Sequence, residues 1–292
     1  MMNNTIRTLL KEGTEALKSC GIPSEKLDAE LLLSGCTGFD RIVMYTDGDR
    51  SVSEEQAACY RAWIKRRCDF EPVAYILGVK EFMGLPFSVS PAVLIPRPDT
   101  ECLVEYLLEA VIPKMDLQGR APEILDLCTG SGAIGLSLAH YLKNSRVWLS
   151  DISDAALEMA QKNAADLSVT VEGFYLSDLF EKIDRSFDLI VSNPPYIPDR
   201  VIEGLQRDIQ EYEPRLALSG GTSGLDIYER IARTAAAHLK DRGYLMLEIG
   251  DGQEVDLVPM LEAQGFRSVA LIPDLSGTIR GVFVQKRSVH NS

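Results

Sequence analysis

The sequence predicts an α/β protein in which a small bundle of helices precedes a doubly wound, mostly parallel β-sheet. Three observations predict this fold. The first eighty or so residues carry apolar side chains at helical spacing, strand-like and helical stretches alternate from residue 99 onward, and a glycine-rich turn joins the first of those strands to the next helix. Strands separated by helices of this length pair in parallel through right-handed crossovers. Since such sheets bind ligands beyond the carboxyl ends of their strands, a site is expected at that edge.

Three regions follow from these patterns. Residues 1–81 predict a bundle of short helices, one of which begins at the capping box formed by Ser53 to Gln56. Residues 82–98 are rich in glycine, proline and alternating apolar residues, which predicts a hairpin or an extended linker. Residues 99–292 predict the α/β domain.

Within the α/β domain we expect seven strands, at residues 123–128, 146–151, 170–176, 187–192, 243–249, 268–272 and 280–286. Helices are expected among them, at residues 99–112, 132–143, 153–166, 224–240 and 253–264. Only Pro273 to Thr278 separate the last two strands, so these are expected to form an antiparallel hairpin at the edge of the sheet.

The composition is that of a folded globular protein of the cytosol. Of the 292 residues, 46% are hydrophobic and 25% are charged, which is ordinary for this class. The chain has no run of about 18 apolar residues and no secretory leader, so we expect no membrane association and a cytoplasmic location. It has six cysteines, none in a C-x-x-C pair, and three histidines, so no metal site is expected.

The charge of the chain argues against direct binding of nucleic acid. The net charge is −13, and −11 of it falls on residues 91–292. Proteins that bind DNA or RNA normally present a basic surface, because neutralising the phosphates releases counterions. The basic cluster at Arg61 and Lys65 to Arg67 is interpreted as the solvated face of a helix.

A glycine-rich loop follows the first strand of the α/β domain. Residues Asp126 to Gly132 read D-L-C-T-G-S-G, in which the glycines let the backbone approach a ligand and the start of the next helix favours an anionic group. Nineteen residues after Gly132, Asp151 ends the second strand, where a carboxylate can accept hydrogen bonds from both ribose hydroxyls of a nucleoside cofactor. The loop fits a dinucleotide pattern poorly, because Asp126 stands where dehydrogenases usually carry an apolar or small residue.

The tetrapeptide Asn193-Pro194-Pro195-Tyr196 follows the run FDLIVS and therefore lies at the same edge of the sheet. An amide nitrogen is a poor nucleophile, because its lone pair is delocalised into the carbonyl. The side-chain oxygen of Asn193 and the backbone oxygen of Pro194 can each accept one N–H of a substrate –NH₂, while the ring of Tyr196 packs on the flat amide. Catalysis would then come from positioning and from electrostatic stabilisation. The motif indicates methylation of an amino or amide group, without separating adenine, cytosine and glutamine.

Nearly the whole chain resembles the release-factor glutamine methyltransferases, the HemK or PrmC family. The resemblance rests on the glycine-rich loop, on the N-P-P-Y tetrapeptide, and on the segments Glu71 to Gly78, Phe82 to Phe87, Ile95 to Glu101, Glu213 to Leu218, Gly220-Gly221 and Gly224 to Asp226. Members of this family are class I S-adenosylmethionine-dependent enzymes that methylate N5 of the glutamine in the Gly-Gly-Gln tripeptide of peptide-chain release factors, and so support translation termination. The resemblance implies S-adenosylmethionine as the cofactor, a release factor as the partner, a Rossmann-like catalytic domain, and a helical bundle that grips the partner. We expect the enzyme to be a monomer.

The resemblance also assigns roles to individual residues. Asp126 is expected near the methionine end of the cofactor, Asp151 at its ribose, and Asp178 at the exocyclic amine of its adenine. The predicted catalytic residues are Asn193, Pro194, Pro195 and Tyr196. The predicted cofactor-binding residues are Asp126, Cys128, Thr129, Gly130, Ser131, Gly132, Asp151, Asp178, Leu179 and Asn193.

Other segments near this edge have weaker assignments. The segment from Pro96 to Glu101 is expected to line the cofactor site, and also to begin a helix with Asp99 or Thr100 as its N-cap. Glu248 ends a strand at the same edge and is a further site candidate. The segment from Gly220 to Gly224 is interpreted as a flexible structural loop.

The chain departs from the family pattern at two positions. The family usually has glycine where Cys128 stands, and we expect the thiol to fit only if the backbone there has a negative φ. Family members of the enteric type carry an aromatic residue where Leu179 stands, so contact with the adenine is expected to be aliphatic here.

Two alternatives remain open from the sequence alone. An adenine-N6 methyltransferase can share N-P-P-Y, but it would need a target-recognition region and a basic groove; titration with DNA and then with a release factor separates the two enzymes. The chain could also be a binding module that keeps the fold without catalysis. Calorimetry with S-adenosylmethionine tests that alternative, and intact Gly130, Asp151 and Asn193 argue against it.

Overall fold

The computed structural model describes residues 4–288, which form two compact units. Of these residues, those up to Val79 form one unit together with Gln206–Tyr212, and the other unit comprises Lys80–Leu205 together with the residues from Glu213 to 288. The predicted domain limits at residues 81 and 98 stay a prediction. Across the described residues, no helix is both long enough and apolar enough to cross a membrane.

The first unit is a helical bundle. Its consecutive helices are α1 (Ile6–Ser19), α2 (Glu25–Thr37), α3 (Arg41–Thr46), α4 (Glu54–Cys68) and α5 (Val73–Leu77). The predicted capping box begins α4: the backbone N–H of Gln56 donates to the Ser53 hydroxyl at 3.1 Å, and the backbone N–H of Ser53 donates to the Gln56 side chain at 3.2 Å. Apolar residues at helical spacing, among them Leu9, Leu32 and Tyr60, are fully buried between the helices. The predicted bundle is therefore confirmed.

A hairpin follows the bundle. Its strands are β1 (Val79–Phe82) and β2 (Leu85–Ser88). The two residues between them, Met83 and Gly84, have φ values of 53° and 70°. Positive φ at both turn residues matches the right-handed twist of the flanking strands.

The second unit is built on a seven-stranded sheet in the order β5-β4-β3-β6-β7-β9-β8. Its strands are β3 (Glu123–Leu127), β4 (Arg146–Asp151), β5 (Gly173–Leu176), β6 (Phe187–Ser192), β7 (Leu239–Glu248), β8 (Phe266–Pro273) and β9 (Ile279–Lys286). The first five pair in parallel, whereas β9 pairs antiparallel with both β7 and β8. The predicted Rossmann-like fold and its antiparallel edge hairpin are confirmed.

Helices cover both faces of this sheet or follow its strands. They are α6 (Pro98–Tyr106), α7 (Ala133–Tyr141), α8 (Asp154–Asp166), α9 (Asp199–Ile202), α11 (Arg215–Leu218), α12 (Asp226–Ala235) and α13 (Glu254–Ala263). Between α9 and α11 in the chain, α10 (Arg207–Tyr212) belongs to the first unit. A π-helical turn (Leu107–Val111) and a 3₁₀ turn (Ile112–Lys114) extend α6, and a 3₁₀ turn (Ala236–His238) extends α12. The sequence did not predict α9, α10 and α11.

The start of α6 differs from its prediction. The helix begins at Pro98 with Arg97 as its N-cap, so the predicted cap at Asp99 or Thr100 is wrong. Proline is favoured at the first helical position, because its missing N–H would have no helical partner there.

Strand β6 lies at the centre of the sheet and is buried along its whole length. Leu189 and Val191 point into the hydrophobic core on one face, and Ile190, between them, points into the core on the other. This alternation follows from the two-residue repeat of a strand. A strand held on both faces fixes the position of Asn193, the residue that follows it.

Candidate active site

The glycine-rich loop after β3 is organised by Asp126. This carboxylate is fully buried, and its Oδ2 accepts hydrogen bonds from the Thr129 hydroxyl at 2.6 Å and from the Gly135 N–H at 2.8 Å. Burial raises the pKa of Asp126 to about 7, although both hydrogen bonds lower it. A Cβ on residue 135 would lie 2.9 Å from Asp126 Oδ2, so glycine lets α7 pack against the loop.

Cys128 adopts a left-handed backbone with a φ of 60°. The expected negative φ is therefore wrong. This conformation costs a non-glycine residue about 1–2 kcal/mol, and the side chain gains packing against the buried cluster that includes Leu127 and Phe187. Leu179 is also left-handed, with a φ of 49°. Backbone strain at two residues beside one cavity is typical of functional sites.

Asp151, at the end of β4, is fixed by two backbone groups. Its Oδ2 accepts from the Gly130 N–H and its Oδ1 from the Ser153 N–H, both at 2.9 Å. Burial raises the pKa of Asp151, and these hydrogen bonds oppose the rise. Because each carboxylate oxygen has about two acceptor positions, each oxygen keeps capacity for a ligand hydroxyl.

A cavity of about 230 Å³ opens at this edge of the sheet, and every residue that lines it belongs to the second unit. Nine predicted site residues line it: Cys128, Thr129, Gly130, Ser131, Asp151, Asp178, Leu179, Asn193 and Pro195. From the predicted cofactor-lining segment, Pro96, Arg97 and Thr100 line it too. Asp126, Gly132, Pro194 and Tyr196 are not part of the lining.

Tyr196 is held from several sides. Its hydroxyl lies 3.4 Å from Glu248 Oε1 as a hydrogen-bond donor, and its backbone oxygen accepts from Gln253 Nε2 at 3.0 Å. A Cβ on Gly220 would lie 2.7 Å from Tyr196 Cα, and a Cβ on Gly224 would lie 2.6 Å from the Tyr196 oxygen. The glycine segment that we expected to be flexible is therefore packed against the tetrapeptide.

Glu248 ends β7 beside this tyrosine, as predicted from its place in the sequence. It is only 3% exposed. Burial raises the pKa of its carboxyl group to about 7, while the hydroxyl groups of Thr100 and Tyr196 and the charge of Arg280 lower it. A buried carboxyl group with a pKa close to 7 thus lies next to Tyr196 of the N-P-P-Y tetrapeptide.

Two ion pairs stand at the cavity wall. Arg97 donates to Glu213 at 2.5 Å, and Arg230 lies 2.9 Å from Asp178. The second pair leaves Asp178 one carboxylate oxygen outside the ion pair. Within residues 4–288, no cluster of three or more histidine, cysteine or acidic side chains could hold a metal ion.

Comparison with known proteins identifies the family. Residues 8–78 match the model of the PrmC N-terminal domain, and residues 100–210 match that of the methyltransferase small domain. A release factor glutamine methyltransferase of Geobacter sulfurreducens is 41% identical, with 95% of each chain covered. One of Clostridium botulinum is 40% identical over 96% of this chain and 99% of its own.

This chain belongs to the release factor glutamine methyltransferase family. Solved structures that share its fold are more distant. A methyltransferase of Pyrococcus furiosus gives a TM-score of 0.52 at 16% identity, covering 78% of this chain and 98% of its own. The 16S rRNA N2 G1207 methyltransferase of Thermus thermophilus gives a TM-score of 0.50 at 21% identity, covering 72% and 50%.

Three residues of this release factor glutamine methyltransferase family member were missed as site residues: Asn163, Arg230 and Gln253. Asn163 is buried in α8, where its amide donates to the backbone oxygens of Ser88 and Ser131 at 3.0 and 2.8 Å. It thereby joins the hairpin to the glycine-rich loop. Asn163 and Arg230 make their contacts to distant parts of the chain, and a polar residue within an amphipathic helix gives no local signal of such contacts. Gln253 alone had one, because it follows β7 closely at the ligand-binding edge.

Proposed function

We propose that this protein transfers the methyl group of S-adenosylmethionine to N5 of a glutamine side chain in the Gly-Gly-Gln tripeptide of a peptide-chain release factor. Membership of the family supports this activity. The main observation in its favour is that the expected catalytic and cofactor-binding residues line the same cavity. Asn193 and Pro195 of the tetrapeptide line it together with Gly130 and Asp151.

The residues at the cavity fit the cofactor. Bound S-adenosylmethionine supplies an electrophilic methyl group. The spare acceptor positions of Asp151 suit the two hydroxyls of a ribose, and the unpaired oxygen of Asp178 suits an exocyclic amine. Aliphatic side chains on the same wall, Leu179 and Ile152, suit the flat faces of a purine.

The tetrapeptide solves the problem of a weak nucleophile by orienting it. The Asn193 side-chain oxygen and the Pro194 backbone oxygen each accept one N–H of the substrate amide, and the ring of Tyr196 packs on its face. The two prolines lock their own φ angles, so little reorganisation accompanies the reaction. Transfer would form the N–C bond as the methyl–sulfur bond breaks, with its electron pair staying on sulfur. One N–H proton would then pass to solvent water, so no base is needed before attack.

The partner is a protein, and we further propose a cytoplasmic monomer that binds no nucleic acid directly. The net charge of −13 supports the absence of direct nucleic-acid binding, because an adenine-N6 methyltransferase would need a basic surface. The test is to incubate the protein with S-adenosylmethionine and either a release factor or double-stranded DNA. Peptide mass spectrometry should show one added methyl group on the tripeptide glutamine, and the DNA should remain unmodified. Methylated adenine with unmodified release factor would refute the proposal.

The variant Asn193→Ala tests the assigned role of the tetrapeptide. It should slow methyl transfer by about 10²- to 10³-fold, as loss of one preorganised polar contact does, while calorimetry shows nearly unchanged affinity for S-adenosylmethionine. Asn144→Ala, at an exposed turn, is the matched control and should keep full activity. Equal turnover of the two variants would contradict the role of Asn193.

A further inference from the structure

Gln253 is the last residue before α13, in the turn that follows β7. The oxygen and the nitrogen of its side-chain amide both make hydrogen bonds. Its Oε1 accepts from the Gly250 N–H at 2.8 Å, and its Nε2 donates to the Tyr196 oxygen at 3.0 Å and to the Gly224 oxygen at 3.3 Å. One side chain thus connects the N-P-P-Y tetrapeptide, the glycine segment and the turn after β7.

We propose that Gln253 is a positioning residue for methyl transfer, which fixes the tetrapeptide by holding the backbone oxygen of Tyr196. This inference rests on the proposed function. It assigns Gln253 no contact with the substrate or the cofactor, since the residue does not line the cavity. Its effect is transmitted through Tyr196.

The need for such a residue follows from the tetrapeptide itself. The proline rings fix φ at Pro194 and Pro195, but they leave the backbone of Tyr196 free to rotate. Gln253 holds its carbonyl group, while Glu248 lies 3.4 Å from its hydroxyl group. The peptide and the ring of Tyr196 are therefore fixed from two independent directions.

The chemistry of the position selects an amide side chain. The three backbone partners are one N–H donor and two carbonyl acceptors, so the side chain must accept once and donate twice. Among neutral side chains, only an amide offers one acceptor oxygen and two N–H donors in a fixed plane. The packing is close as well, because a Cβ on Gly250 would lie 3.1 Å from Gln253 Oε1 and 3.3 Å from Tyr196 Cδ2.

Two variants separate the hydrogen bonds from the volume of the side chain. Gln253→Met keeps the length and removes every hydrogen bond. Gln253→Glu keeps an acceptor for Gly250, but it turns carboxylate oxygen toward the carbonyl groups of Tyr196 and Gly224. Since misplacement of a reacting group by about 1 Å can cost about 10²-fold, both variants should lower kcat by about 10- to 100-fold. The KM for release factor and the calorimetric Kd for S-adenosylmethionine should change less than about threefold, because the lost contacts act on the reacting geometry.

Gln285→Met is the matched control. Gln285 is 4% exposed, and its Nε2 donates to the Arg242 backbone oxygen at 2.7 Å, at the end of the sheet remote from Glu248. The variant Gln285→Met should lower the melting temperature at least as much as Gln253→Met does, yet it should keep the wild-type kcat. This comparison separates positioning from a general loss of stability.

The outcomes are distinguishable. If wild-type protein fails to methylate release factor, the proposed function fails and the variants are not needed. If wild-type protein is active and Gln253→Met keeps its kcat, the positioning role is refuted while the function stands. A loss confined to the KM or to cofactor affinity, or an equal loss of kcat in Gln285→Met, would also overturn the inference.

Discussion

At the scale of single residues, the two buried carboxyl groups Asp126 and Glu248 differ from the other acids of the site. Burial raises the pKa of each to about 7, because a low-dielectric environment disfavours the charged form. Burial raises the pKa of Asp151 as well, but this carboxylate lines the cavity and accepts hydrogen bonds from two backbone N–H groups. The acids behind the site therefore shape the loop and the tyrosine, and Asp151 faces the cavity.

The raised pKa of Glu248 predicts a dependence of stability on pH. The native state keeps a proton that an unfolded glutamic acid with a pKa of about 4.3 releases. The stabilisation is thus complete below about pH 4 and is lost as the pH rises to about 7. Glu248→Gln mimics the protonated form and should gain stability relative to wild type above pH 7, by up to about 4 kcal/mol.

Urea titrations at pH 5 and pH 8 measure this difference. Asp126 is present in both wild type and Glu248→Gln, so its own contribution to the pH dependence of stability cancels in the comparison. The exposed Glu158→Gln is the control and should follow the wild-type curve at both pH values. A stability difference between wild type and Glu248→Gln that does not grow with pH would contradict the prediction.

At the scale of elements, the segment from Gly220 to Gly224 forms one wall of the tetrapeptide. The backbone N–H of Gly220 donates to the Ile197 oxygen at 2.9 Å, and a Cβ on Gly224 would lie 2.6 Å from the Tyr196 oxygen and 3.0 Å from Pro198. The close approach explains the glycines at 220 and 224, and it makes the segment part of the catalytic scaffold.

Gly224→Ala should therefore damage activity as well as stability. Gly224 and Gly119 have nearly equal φ values, 82° and 80°, but a Cβ on Gly119 would meet nothing within 4 Å. Both alanine variants bear the left-handed backbone cost of about 1 kcal/mol, whereas only Gly224→Ala displaces Tyr196. We expect kcat to fall at least about tenfold for Gly224→Ala and to stay at the wild-type value for Gly119→Ala. Equal kcat values, measured with release factor, would rule out the scaffold role.

The elements themselves were largely predictable, because periodicity is a local property of the sequence. The run from Phe187 to Ser192 predicted β6 with its bounds correct, and helix α8 was placed to within one residue. The short helices α9 to α11 lie in a stretch without apolar periodicity, and they escaped prediction. The contact between Gln253 and Tyr196 spans 57 residues, and no local pattern reports which side chain meets which carbonyl group. The backbone of Cys128 was mispredicted because tertiary packing overrides the local preference against positive φ.

At the scale of the whole molecule, α10 extends the first unit with a segment from the second half of the chain. Arg67 of α4, which we expected on a solvated helix face, is buried. It donates to Asp28 of α2 at 2.7 Å and lies 3.6 Å from Asp208 of α10. The Tyr212 hydroxyl donates to the Asp69 backbone oxygen at 2.8 Å. Arg67 thus joins three helices of the first unit through one guanidinium group.

Arg67→Met should destabilise the first unit selectively. Arg67 and Asp28 have side-chain exposures of 7% and 8%, and removing one partner of a buried pair leaves an uncompensated charge at a cost of about 3–5 kcal/mol. Arg61→Met is the control, since the Arg61–Glu12 pair is 38% and 46% exposed and such pairs contribute about 0–1 kcal/mol. Scanning calorimetry should show a lower first transition for Arg67→Met and a nearly unchanged curve for Arg61→Met.

The same variant tests the division of labour that we predict between a partner-binding bundle and a catalytic unit. Every residue lining the cavity lies in the second unit, so the affinity of Arg67→Met for S-adenosylmethionine should match that of wild type. Methylation of a short Gly-Gly-Gln peptide should then be unaffected, while kcat/KM for full-length release factor falls, because the damaged bundle holds the larger partner less well. Parallel losses with peptide and full-length protein would show instead that the first unit supports the catalytic chemistry itself.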